Sequence, residues 1–129
     1  QKWGRIVNIS SLSGQHLRGC APYGASKAFL DAYTKALGKY LAKDNIVVSA
    51  VAPGSIYAPG GHWDPEKYVG EEKENFLIKI SDMMKHYCPR GKLGEAKDIS
   101  GFVVFLSSER ANLCGSGIYN IGYHELMGL

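Results

Sequence analysis

Cysteine is sparse in this sequence. Cys20, Cys88 and Cys114 are far apart and odd in number, which excludes a fully paired disulfide framework and the Cys-x-x-Cys spacing of a structural zinc site. Such usage fits a reducing, cytoplasmic setting. His16, His62, His86 and His124 are scattered, without the spacing of metal ligands, so no metal is expected. No apolar run approaches the ~20 residues of a membrane helix, and no charged-then-apolar leader pattern follows Gln1. Charge of one sign is not concentrated either. A formal net charge of +3 is spread along the chain, so the basic stripe of a nucleic-acid binder is missing. Long charge runs, low-complexity tracts and internal repeats are absent.

What remains is ordinary globular composition. With 129 residues, 45% hydrophobic and 21% charged, the chain suffices for a single domain over 1–129 with one core. Arg5 to Ile9 is short and β-branched and reads as a buried strand, running into the polar loop Ser10-Ser11-Leu12-Ser13-Gly14. That loop is expected to continue through Gly19 and Pro22. Asn8-Ile9-Ser10 matches a glycosylation triplet, but its place on a buried strand argues against a sugar.

From Tyr23 to about Lys43, Phe29, Tyr33, Ala36, Leu37, Tyr40 and Leu41 recur at helical spacing, with Lys35, Lys39 and Lys43 on another face. Asp31 and Lys35 are expected to form an exposed i,i+4 pair. After Asp44-Asn45, Ile46 to Ala52 reads as a second buried strand, stopped by Pro53-Gly54. The Pro/Gly-rich stretch Pro53 to Pro65 is then a loop. Phe76, Leu77, Ile80, Met83, Met84 and Tyr87 mark a helical region, closed by Pro89 and Gly91. A further helix is expected from about Ala96 to Ser108, with Ile99, Phe102, Val103 and Leu106 on its apolar face. A last strand spans Ile118 to Ile121. Strand–helix–strand units build parallel sheets, and open α/β sheets bind ligands beyond the carboxyl ends of their strands.

Chemistry concentrates in the first third of the chain. Tyr23 and Lys27 are one helical turn apart on one face. A phenol ionises near ~10, and bringing it to ~7 takes about 4 kcal/mol. An ammonium ~4 Å away at an effective dielectric of ~20 supplies about that much. Ser11, at the tip of the first strand, is placed to hold a substrate oxygen while Tyr23 exchanges a proton with it. The remaining reaction partner, a hydride donor or acceptor, is no side chain; a nicotinamide serves.

Gly4-Arg5-Ile6-Val7-Asn8-Ile9-Ser10-Ser11, followed by Pro22-Tyr23-Gly24-Ala25-Ser26-Lys27-Ala28, closely resembles the short-chain dehydrogenase/reductase family. Val51-Ala52-Pro53-Gly54-Ser55-Ile56 resembles its Pro-Gly turn. Asp98-Ile99, Phe105-Leu106-Ser107-Ser108 and Gly115 to Gly122 resemble its last helix and strand. The resemblance implies an α/β, partial Rossmann-type doubly wound parallel sheet in three layers, α/β/α, lacking the N-terminal strands. It implies Ser11, Tyr23 and Lys27 as catalytic residues. Tyr23, Lys27, Pro53, Gly54 and Ile56 would contact NAD or NADP, and the segment from Tyr57 to about Tyr87 would be a substrate lid. The implied activity interconverts a small-molecule alcohol and a carbonyl.

The sequence departs from the family in three places. Ala58 stands where a threonine is frequent, and Asn120-Ile121-Gly122-Tyr123-His124 only approximates the usual Asp-Gly-Gly ending. No Gly-x-x-x-Gly-x-Gly loop follows a strand and opens a helix, so the pyrophosphate-binding turn is not in this chain. By the family's order the chain starts at the fifth strand. A bare edge at Ile6 to Ile9 then implies a homo-oligomer or pairing with an N-terminal half. The alternative is a non-catalytic truncated form acting as an oligomerisation or interaction module. A hydrolase built on Gly24-Ala25-Ser26-Lys27-Ala28, with Asp64 and His86, lacks the strand its nucleophile elbow requires.

Overall fold

The computed structural model describes residues 2–16, 20–88 and 90–122. The expectations at Gly19, Pro89, Tyr123 and His124 lie outside these residues. β1 (Gly4–Ile9) leads through a short 3-10 turn at Leu12–Gly14 to α1 (Ala21–Leu41), and β2 (Ile46–Pro53) follows. Next come β3 (Ile56–Tyr57), α2 (Gly70–Tyr87), β4 (Gly94–Glu95), α3 (Ala96–Leu106) and β5 (Ile118–Ile121). β1, β2 and β5 form one parallel sheet in that order, with Gly4 opposite Ile46 and Ala50 opposite Ile118.

Side chains alternate across a strand, and adjacent residues of β1 show what covers each face. Val7 packs into the core of Val51, Leu106 and Ala111, to which α3 contributes Ile99, Phe102 and Val103. Asn8 points the other way, its Nδ2 donating to Thr34 Oγ1 of α1 at 2.9 Å. The sheet is thus a middle layer between α1 and α3, the α/β/α arrangement the sequence predicts. In the same core, burial and the neighbouring Cys114 thiol push the Tyr119 phenol up to about 12.

α1 packs on a face other than the one its apolar spacing predicts. Phe29 and Tyr40 are 70% and 66% exposed, whereas Asp31, Thr34 and Gly38 are buried. The reason is close approach: a Cβ on Gly38 would lie 2.5 Å from Ser116 Oγ. Small residues let the helix axis near the sheet, and the aromatic stripe turns outward. Asp31 is therefore not half of an exposed pair with Lys35; its Oδ2 accepts from Gln15 Nε2 at 3.5 Å.

The predicted Pro53–Pro65 loop contains structure of its own. β3 pairs in parallel with β4, Ile56 opposite Gly94, tying the Pro-Gly turn to the start of α3. Glu95 and Asp98 cap α3 reciprocally, with the Glu95 N–H donating to Asp98 Oδ2 at 2.8 Å. α2 starts at Gly70, earlier than its apolar residues suggest, and buries Phe76 and Ile80. α3 ends at Leu106, short of the expected Ser108. Among the described residues no helix is long and apolar enough to cross a membrane.

Candidate active site

Ser11 stands just past the C-terminal end of β1. Its extended backbone (φ −161°, ψ 150°) caps the Leu12–Gly14 turn, and its Oγ accepts from the Ser13 N–H at 3.2 Å. The preceding Ser10 is buried and continues the sheet, its N–H donating to the Val51 carbonyl at 2.7 Å. Tyr23 lies in the first turn of α1, with Pro22 beside it at a position where a missing N–H costs the helix nothing. Its side chain is 47% exposed and so reaches solvent in the cleft. Lys27 follows one turn later. Its Nζ donates to the Ile9 carbonyl at 2.8 Å and lies 5.6 Å from the centre of the Tyr23 ring.

Two glycines bring these pieces together. A Cβ on Gly14 would sit 2.8 Å from both Ala28 N and Lys27 C, and one on Gly24 would sit 2.9 Å from the Ser13 carbonyl oxygen. Real Cβ atoms do not come so near to backbone, so glycine at both positions lets the serine turn lie directly on α1. Ser11 and Tyr23 are thereby held at one rim although they come from different elements.

That rim divides two cavities. One, about 590 Å³, takes in Ile9, Ser10, Lys27, Ile56, Ile99 and Val103 in addition to Ser11, Tyr23, Pro53 and Gly54. Every site residue predicted from the sequence therefore lines this groove. The other, about 630 Å³, starts from the same Ser11 and Tyr23 and is walled by Cys20, His62, Trp63 and Lys79, of which Trp63 lines the first cavity too. The sequence gives no signal for these last four beyond the position of the loop and α2 downstream of the Pro-Gly turn. Ser26 belongs to neither cavity: its Oγ donates to the Tyr23 carbonyl at 2.7 Å within α1. Asp64 is bound to backbone and His86 Nδ1 lies 2.8 Å from the Asp82 carbonyl oxygen, so the hydrolase arrangement does not form.

Asp64, next in sequence to Trp63, orders the loop that carries it. Buried, it caps the Pro65–Lys67 turn, its Oδ2 accepting from the Gly60 N–H at 2.6 Å and its Oδ1 from the Glu66 N–H at 3.0 Å. Gly60 has φ +70°, a conformation glycine adopts freely. The Gly60 bond first, then that of Glu66, hold the Asp64 carboxyl below the usual carboxylate range; burial opposes them, and Lys67 and Lys73 assist. A carboxyl whose folded-state pKa is depressed contributes stability above its unfolded pKa of ~3.9 and loses it as pH falls through the lower folded value. Protection of the Gly60 and Glu66 amides against hydrogen exchange is therefore expected to drop as pH falls below about 4. Asp64→Asn is expected to show the weaker protection at all pH, with that acid step flattened. An undiminished acid step in the variant would assign the transition to another group.

Three parallel strands between helices, with a divided cleft at their carboxyl ends, define a Rossmann-type α/β protein. The family profile described as short chain dehydrogenase matches residues 1–66. The chain is 39% identical over 113 residues to a 3-oxoacyl-(acyl-carrier-protein) reductase of Aquifex aeolicus, covering 87% of this chain and 41% of that protein. It is 39% identical over 120 residues to an acetoacetyl-CoA reductase of Shinella zoogloeoides, covering 92% of this chain and 45% of that one. Levodione reductase superposes with a TM-score of 0.77 at 25% identity, over 95% of this chain and 46% of its own. A 3-oxoacyl-(acyl-carrier-protein) reductase of Brucella melitensis reaches the same TM-score at 23% identity, a likeness of fold, covering 95% of this chain and 42% of that one. The chain belongs to the short-chain dehydrogenase/reductase family. It spans less than half the length of these relatives.

Proposed function

We propose that this chain carries the catalytic half of an NAD(P)-dependent oxidoreductase that interconverts an alcohol and a carbonyl. The observation that carries the reading is the shared rim: Ser11 and Tyr23 border both cavities, with Lys27 in one of them. Two reactants can then reach the same pair of hydroxyls from two adjoining cavities. The larger family members named above are reductases, which agrees with this division.

The groove on the Lys27 side suits the nicotinamide end of a dinucleotide. Ile9, Ile56, Ile99 and Val103 offer apolar walls to a flat ring, and the Lys27 ammonium in the same groove would donate to ribose hydroxyls. A bound nicotinamide supplies or accepts the hydride. Ser11 Oγ donates to the substrate oxygen and fixes it beside Tyr23. In reduction the Tyr23 phenol passes its proton to that oxygen as the carbonyl becomes an alcohol; in oxidation it takes the proton back. The Lys27 ammonium, tethered to the Ile9 carbonyl, keeps a fixed position one helical turn beyond Tyr23.

A partner would fit the exposed edge of β1. Ile6 and Ile9 are 37% and 48% exposed on this outermost strand, whose free backbone groups accept another parallel strand. A second copy or a dinucleotide-binding half fits there, and the latter would complete the cofactor site.

The function is tested by following NADPH and NADH absorbance with a panel of small ketones and aldehydes, on protein assembled with its dinucleotide-binding half. Carbonyl-dependent consumption of either nucleotide is expected. Absence of consumption with both, despite measurable nucleotide binding, would leave the scaffold reading instead.

A further inference from the structure

The cavity that Lys27 does not line has a mixed lining. Ser11 and Tyr23 offer it hydroxyls, and Trp63 and Lys79 line it as well. Among the described residues lining it, Lys79 carries the one fixed charge and none carries a carboxylate. α2 has three lysines in its sequence. Lys73 is bound to Glu66 at 2.7 Å and Lys85 to Asp82 at 3.6 Å, while Lys79 makes no ion pair among the described residues. Its backbone is nonetheless fixed, because Phe76 and Ile80 on either side are the buried anchors of the helix.

We propose that Lys79 selects substrates carrying a carboxylate: oxo acids, or the hydroxy acids they are reduced to, with the carboxylate on Lys79 Nζ and the carbonyl at Ser11 and Tyr23. The carbonyl end of this assignment rests on the oxidoreductase reading; the carboxylate end rests on the cavity alone. A volume near 630 Å³ is in the range for a small molecule, ~300–1,000 Å³. Trp63 supplies a flat apolar wall for the carbons between the two ends. One ammonium balances one carboxylate, whereas a doubly charged phosphate would keep an uncompensated charge.

The experiment reads binding rather than turnover, so that it stands apart from the catalytic reading. Trp3 and Trp63 are the two tryptophans of this chain; a Trp3→Phe background leaves Trp63, which borders this cavity and the Lys27 groove, as the chain's tryptophan reporter, and the titrations are run without nucleotide. Pyruvate, acetoacetate and levulinate, and the methyl ester of each, are titrated by tryptophan fluorescence against the full protein. At least one acid is expected to bind about tenfold more tightly than its ester, the size of a charge-assisted hydrogen bond. Lys79→Gln is expected to abolish that ratio and Lys79→Arg to preserve it, with unchanged melting temperatures since the side chain is exposed. Equal binding of every acid and ester, no binding of any acid, or a preference that survives Lys79→Gln would each overturn the proposal. Absence of carbonyl-dependent NADPH or NADH consumption would sink the oxidoreductase reading without touching this result.

Discussion

Replacing Tyr23 with phenylalanine is expected to lower turnover by about 10²–10⁴-fold, the usual worth of a positioned acid–base group, while leaving nicotinamide binding close to the parent's. The substitution removes a single oxygen from a half-exposed side chain. The ring stays, the first turn of α1 keeps its Pro22 start, and Lys27 keeps its 2.8 Å bond to the Ile9 carbonyl. Stability should therefore move by no more than about 0.5 kcal/mol. On the proposed reading, nucleotide affinity draws on Ile9, Lys27, Pro53 and Ile56, which are unaltered, and on the Tyr23 ring, which stays in the groove. The split is the diagnostic: kcat falls, and the Kd for NADPH or NADH, measured by fluorescence titration, does not. Rates near the parent's would mean that the proton comes from elsewhere, and would remove Tyr23 from the chemistry.

Which parts of this arrangement the sequence discloses depends on how local the signal is. β1, β2 and β5 are legible because short apolar runs stop at Ser10-Ser11, Pro53-Gly54 and Gly122. Tyr23 and Lys27 are legible because four-residue spacing fixes their shared helical face before any tertiary contact forms. β3 and β4 are only two residues each, too short for any alternation, and exist because the Pro-Gly turn brings them together. The inward face of α1 is misread for a different reason. Periodicity identifies apolar residues, but the depth to which a helix settles on a sheet is decided by its smallest ones, here Gly38 with Thr34 beside it. The second cavity is invisible for a third reason: His62, Trp63 and Lys79 reach the Ser11–Tyr23 rim through the folded path of a loop, and no spacing rule links them to it.

The same physics gives the sharpest test of how the site is assembled. Gly14→Ala is expected to reduce turnover by about 100-fold, as a misplacement of roughly 1 Å near the reacting groups does, and to cost about 1–3 kcal/mol in unfolding experiments. No residue that would touch substrate is changed. The added methyl would meet Ala28 N and Lys27 C at 2.8 Å, and these are backbone atoms of α1 that have no rotamer by which to yield. The turn carrying Ser11 must then lift from the helix carrying Tyr23, widening the rim between the two cavities. Gly101→Ala is the control. Its Cβ meets nothing within 4 Å on the exposed side of α3, so it should leave turnover intact and stabilise the helix by about 0.5–1 kcal/mol. Should Gly14→Ala keep parent-like turnover, the serine turn and the helix are not held in register by this contact, and the alignment of Ser11 with Tyr23 must come from another source.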